Sequence, residues 1–129
     1  MKRATAALFL LLFSFMLISN YNGATIRSTV GDTLSVEKVS IDADGYTLSG
    51  MLYVPSDVQP DDPRPAVVCA HGLTNAKEAM SGFALEIARR GMVALSLDLA
   101  GHGQSGGKLG EGDPSLGVSS ALSYLKSLD

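Results

Sequence analysis

Hydrophobic and polar positions along the chain fall into distinct patterns. Ala4 to Ser19 is an almost unbroken apolar run with ALFLLLFSFMLI at its centre, and no charge stands between Arg3 and Arg27. From Leu34 to Ile41 apolar and polar residues alternate, with a slip of phase near Lys38. Thr47 to Val54 repeats the pattern around Leu48, Met51, Leu52 and Val54. Alternation of this kind predicts half-buried strands. The intervening Asp42-Ala43-Asp44-Gly45 supplies residues that tolerate positive φ, so the pair reads as a β-hairpin. A polar loop with three prolines, SDVQPDDPRP, follows and leads into Ala66-Val67-Val68-Cys69-Ala70. A continuous apolar run of that length suits a strand covered on both faces, as in parallel sheets.

Helical spacing comes next. Met80, Phe83, Ala84, Ile87 and Ala88 stand at i, i+3, i+4, i+7 and i+8, which predicts one apolar helix face. Arg89 and Arg90 fill its last turn, and Gly91 occupies the position after the C-cap. Met92 to Leu97 reads as a second buried strand, completing a βαβ unit. Residues 98–112 are glycine-rich. Asp113-Pro114 then announces a helix, with aspartate as N-cap and proline at N1, and Val118, Ala121, Leu122 and Leu125 as its apolar face. The class is therefore α/β, preceded by a hydrophobic N-terminal helix. The organisation is 1–26 as signal peptide or transmembrane anchor, 27–33 as linker and 34–129 as the folded domain.

Composition sharpens this picture. All 13 acidic side chains lie beyond residue 26, and the net charge is −3. Such a chain is too acidic to bind nucleic acid by phosphate neutralisation. A single cysteine, Cys69, excludes an intrachain disulfide, and two histidines, His71 and His102, without ligand-spaced neighbours argue against a zinc site. No cofactor or metal is expected. Lys2 and Arg3 before the apolar run fit either the n-region of a signal peptide or the inner flank of an anchor through the bilayer over residues 4–26. Asn22-Gly23-Ala24 offers a small residue at −1 but not at −3, which favours the anchor. In both cases the rest of the chain faces outside the cytoplasm, as a single-pass membrane protein or a secreted one.

Three segments bear on chemistry. His71-Gly72 ends a buried strand, where open α/β sheets bind ligands; glycine admits a substrate to the backbone, and free N–H groups can stabilise an oxyanion. The same dipeptide is also what a plain turn beside a hydrogen-bonded histidine would show. Gly101-His102-Gly103-Gln104-Ser105-Gly106 is formally G-x-G-x-x-G. A dinucleotide site needs that turn to enter a helix at once, whereas here the next helix begins only near Pro114. Gly103-Gln104-Ser105-Gly106-Gly107 is formally G-x-S-x-G, but no apolar strand runs into it and no helix starts after the serine. Ser105 reads as a loop hydroxyl.

Taken in order, GYTLSGMLYVP, PAVVCAHGLTNAKE, the helix ending ARRG and MVALSLDLAGHGQSGG resemble the opening of an α/β-hydrolase, in its serine aminopeptidase, dienelactone hydrolase and acyl-esterase branches, over residues 37–129. The resemblance implies that His71, Gly72 and Leu73 frame the oxyanion hole, Leu73 donating its backbone N–H. It implies that Asp98, Gly101, His102, Gly103 and Ser105 form a structural loop. It further implies a nucleophile elbow on a fifth strand just after the helix ending at Leu128, with the acid and histidine later still. None of the three stands in this sequence, so no catalytic residue is expected in the chain and the chain alone is expected to be inactive. The implied function is the N-terminal part of an anchored or exported serine hydrolase acting on a small-molecule ester, an amide or a peptide. The competing expectation is a non-catalytic, anchored α/β binding or interaction module. The resemblance also leaves the AVVCA strand at a sheet edge.

Overall fold

The computed structural model describes residues 7, 9–17, 33–59, 61–110 and 113–128. The chain divides into two compact units, Met1–Asp32 and Thr33–Asp129. In the first, residues 9–17 are helical. Phe9, Leu10, Phe13 and Phe15 are all more than half exposed, and Ser14 Oγ donates back to Leu10 O at 2.8 Å. Among the described residues no helix is long and apolar enough to cross a membrane. The remainder of the span expected over 1–26, and the linker up to Asp32, lie outside the described residues.

The second unit is built on a four-stranded sheet of order β1-β2-β4-β3. Strands β1 (Leu34–Asp42) and β2 (Thr47–Pro55) form the expected antiparallel hairpin, in register from Leu34 opposite Pro55 to Asp42 opposite Thr47. Its turn places Asp44 and Gly45 at φ 42° and 97°, the left-handed region that Asp and Gly tolerate. β3 (Ala66–Ala70) and β4 (Val93–Leu97) run parallel, and β4 inserts between β3 and β2. β3 pairs with β4 alone among the described residues, so its far edge is open.

Period-2 alternation sends successive residues to opposite faces of the sheet. Ile41, Leu48, Leu52, Leu95 and Leu97 share one face and form the core with Ala121 and Leu125 of helix α2 (Pro114–Lys126). Helix α1 (Ser81–Arg89) packs on β2, β3 and β4 through Ala84 and Ala88. The expected faces need two corrections. Phe83 is 66% exposed and Leu122 43% exposed, while Gly117 is buried on α2, so close to Leu48 that a Cβ there would sit 3.5 Å from its Cδ1.

Helix punctuation follows the sequence. Asp113 accepts from Ser115 N at 2.8 Å, with Pro114 at N1. Gly91, at φ 83°, closes α1 by donating to Ala88 O. A 3-10 turn, Lys77–Met80, precedes α1, so the α-helix itself begins one residue past Met80. Both βα connections, after β3 and after β4, therefore emerge side by side at the carboxyl ends of the parallel strands.

Candidate active site

At those carboxyl ends the loop after β3 (His71–Ala76) meets the loop after β4 (Asp98–Gly107). His71 is buried, 5% exposed. Its Nε2 lies 3.1 Å from Leu99 N and accepts that N–H. A ring nitrogen that accepts carries no hydrogen, so the proton sits on Nδ1, which donates to Gly72 O at 2.7 Å. His71 thus has both nitrogens engaged and serves as a strut between the loops rather than as a base.

The strut fixes a peptide plane. Gly72 O also accepts Asn75 N at 3.1 Å, closing a four-residue turn. The Gly72–Leu73 peptide is trans, so Leu73 N–H points opposite to that twice-bonded carbonyl. Among the described residues the Leu73 N–H donates no hydrogen bond. The Leu73 side chain is 75% exposed. With Leu99, Ala100, His102, Leu109 and Pro114 it lines a cavity of about 250 Å³. A Cβ added at Gly72 would meet nothing within 4 Å. The fold leaves open the space in front of this backbone.

His102 braces the same loop from outside. Its Nε2 is 2.8 Å from Leu73 O and its Nδ1 3.0 Å from Ala100 O. Both partners are acceptors, so a neutral ring donates to one and a doubly protonated ring to both. The rings of His71 and His102 meet edge to face, centroids 4.9 Å apart.

The glycine loop is closed on itself and on β2. Gly101 N donates to Gly106 O, Gly106 N to Thr47 O, and Asp98 N to Ser49 O. Ser105 Oγ donates to Asp98 O at 2.7 Å and accepts Ser49 N at 2.8 Å. Loop amides consumed in this way do not cradle a pyrophosphate, and a hydroxyl with both roles filled is a structural one. Gly103 sits at φ 51° with its Cα against the Asp98 carboxylate, where a Cβ would collide with all three carboxylate atoms.

One member of this region escaped the sequence reading. Lys77 is 2% exposed, and its Nζ lies 2.7 Å from Oδ2 of the fully buried Asp98. Lys77 N donates to Oδ1 at 2.6 Å and Gln104 N to Oδ2 at 2.9 Å. Ser96 Oγ donates to Lys77 O at 2.9 Å. Burial alone would raise the Asp98 carboxyl, but the Gln104 N–H and the Lys77 ammonium and N–H together hold it below the usual carboxylate range. Burial likewise opposes the Lys77 charge, and Asp98 and Glu78 outweigh it, raising the ammonium above its usual value. The signal was present: Lys77 stands three residues before Met80 and seven before Ala84, on the inward stripe of the helix. An aspartate ending a buried strand calls for a buried cation. Among the described residues, no three His, Cys, Asp or Glu side chains are grouped to hold a metal ion.

No family model and no curated protein matches the chain. Solved structures do. A hypothetical protein from Pseudomonas aeruginosa superposes at a TM-score of 0.63 with 30% identity, over 74% of this chain and 31% of its own. Est1E from Butyrivibrio proteoclasticus, solved with ferulic acid bound, gives 0.60 and 26%, over 70% and 38%. The esterase Pf2001 from Pyrococcus furiosus gives 0.63 and 24%, over 78% and 39%. The chain thus spans between 31% and 39% of the length of these three.

Proposed function

Taking as premise that the chain belongs to the α/β-hydrolase superfamily and carries the N-terminal portion of its fold, we propose that it supplies the oxyanion-stabilising segment of a serine hydrolase. The bond cleaved is an ester, amide or peptide bond, and the route is an acyl-enzyme. A serine outside this chain attacks the substrate carbonyl carbon and passes its proton to a histidine, also outside it. The carbonyl electron pair moves onto oxygen, and that oxygen faces the Leu73 N–H. Collapse expels the leaving group, which takes the proton from the histidine, and water then releases the acyl group.

The observation that carries the reading is the Leu73 amide, which donates no hydrogen bond among the described residues, belongs to a residue lining a cavity of about 250 Å³, and is aimed by a carbonyl that two donors hold. A preorganised donor of this kind contributes about 10²–10³ in rate. His71 and Gly72 act through the Leu73 peptide. Asp98, Gly101, Gly103 and Ser105 shape the structural loop after β4, from which His102 reaches Leu73 O. The exposed apolar surface of residues 9–17, with Phe9, Phe13 and Phe15 outward, supports placing the protein at a bilayer through residues 4–26, with the hydrolase part outside the cytoplasm. A helix apolar on all sides suits lipid better than water.

The test is to express the chain together with what its reading frame encodes after Asp129 and treat it with a fluorophosphonate probe. A labelled serine in a G-x-S-x-G context is expected. Leu73→Pro, which deletes the N–H, should slow labelling by about 10²–10³. Absence of any labelled serine overturns the reading and leaves a non-catalytic binding module.

A further inference from the structure

The Lys77–Asp98 pair is not part of the chemistry above, yet it is among the most deeply buried groups of the second unit. Two charges taken from water are costly, and an apolar pair of like volume is often as stable. Fold stability is therefore a poor account of this pair, and its connections suggest a better one. Asp98 is the first residue after β4, and Lys77 opens the 3-10 turn that ends the loop after β3. One carboxylate accepts the backbone and side chain of Lys77 and the backbone of Gln104. Lys77 Nζ reaches onward to Gln104 Oε1 at 3.4 Å and to Glu78 Oε1 at 3.2 Å. The pair thus clamps both loops at their bases, and the next residue past Asp98, Leu99, is the one whose N–H fixes His71 Nε2.

We propose that Lys77 and Asp98 are positioning residues for the Leu73 amide: their buried pair sets the spacing of the two loops at which Leu99 N–H reaches His71 Nε2, and so determines the ring's tautomer and the direction of the Gly72–Leu73 peptide. This rests on the oxyanion reading for its catalytic meaning, but the structural linkage stands without it. The groups facing the pair are Glu78, Gln104, Ser96 and the Gly103 backbone. Among them only Glu78 is charged, and it is exposed, so among the described residues Lys77 is the buried countercharge that Asp98 meets.

The experiment uses the full 129-residue chain in detergent micelles and reads two signals. One is amide hydrogen exchange at Leu99 relative to Leu52 in β2. The other is the ¹⁵N shift pair of the His71 ring, which reports its tautomer. Lys77→Met, which keeps the stem and removes the charge, should lower Leu99 protection by about tenfold more than Leu52 protection, the equivalent of one net hydrogen bond. It should also turn the single Nδ1–H signature of His71 into a mixture. Lys77→Arg should restore part of both. If Lys77→Met fails to fold, Asp98→Asn, which keeps the shape and one acceptor, is read the same way. Equal loss at Leu99 and Leu52 with an unchanged His71 signature overturns the proposal, because the pair then acts on stability alone. Failure of fluorophosphonate labelling in the extended protein would instead remove the oxyanion reading and leave this linkage intact.

Discussion

Substituting Gly103 by alanine tests the rigidity of the loop base most directly. Alanine in the left-handed region is disfavoured by about 1–2 kcal/mol. The added Cβ also falls on the Asp98 carboxylate, which has nowhere to go. It is fully buried, and Lys77 N, Lys77 Nζ and Gln104 N hold its oxygens at 2.6, 2.7 and 2.9 Å. Relief requires breaking at least one charge-assisted hydrogen bond, about 1.5–3 kcal/mol. The two contributions together come to about 3–5 kcal/mol, a large share of the 5–15 kcal/mol typical of a whole domain. Gly72→Ala is the matched control, since its Cβ meets nothing within 4 Å and its φ is not positive. It should cost no more than about 0.5 kcal/mol. Urea unfolding followed by circular dichroism, with all three chains in the same detergent, gives both differences. If Gly103→Ala proves as mild as Gly72→Ala, the carboxylate is free to move and the fixed geometry assigned to the two loops is wrong.

The pair also sets a pH response. The Asp98 carboxyl is depressed, so its contribution is present above the unfolded value, about 3.9, and is lost as pH falls through the folded value. The raised Lys77 ammonium contributes below its unfolded value, about 10.4, and loses that contribution as pH rises through the folded one. Stability from the pair should be flat between these limits, and Asp98→Asn should flatten the acid limb of a urea-midpoint profile; an unchanged limb would contradict the assignment. Ser105→Ala should leave Ser49 N unpaired and destabilise by about 1–3 kcal/mol, while the parent chain shows no fluorophosphonate labelling at Ser105. Labelling there would make it a nucleophile after all. The open β3 edge predicts concentration-dependent self-association in light scattering, reduced by Ala66→Lys, an exposed position on that strand. A parent chain that stays monodisperse at high concentration would count against an accessible edge.

Much of the architecture was legible because local pattern and tertiary burial agree. AVVCA forms the strand its apolar run predicts, beside β4, although only Cys69 is buried and both end alanines are exposed, and DADG turns because aspartate and glycine accept the angles it needs. Legibility fell where the partner decides. Phe83 and Leu122 have the right spacing but face outward, and Gly117 has no hydrophobic signal yet is buried beside Leu48. Lys77 was overlooked for a related reason: charge usually marks the solvent side, and only the aspartate 21 residues later makes it an inward residue. His71, Gly72 and Leu73 could be singled out from their place at a strand end and from family resemblance. The direction of the Leu73 amide could not, since it depends on a bond from residue 71 to residue 99.

That bond and its companions have a wider implication. The contacts that orient the Leu73 peptide and brace its loop join residues of the two strand-end loops, His71 to Lys77 and Asp98 to Gln104. The two loops therefore form one transferable unit: moved together into a recipient scaffold with the same two strand ends, they should carry the direction of the Leu73 peptide with them.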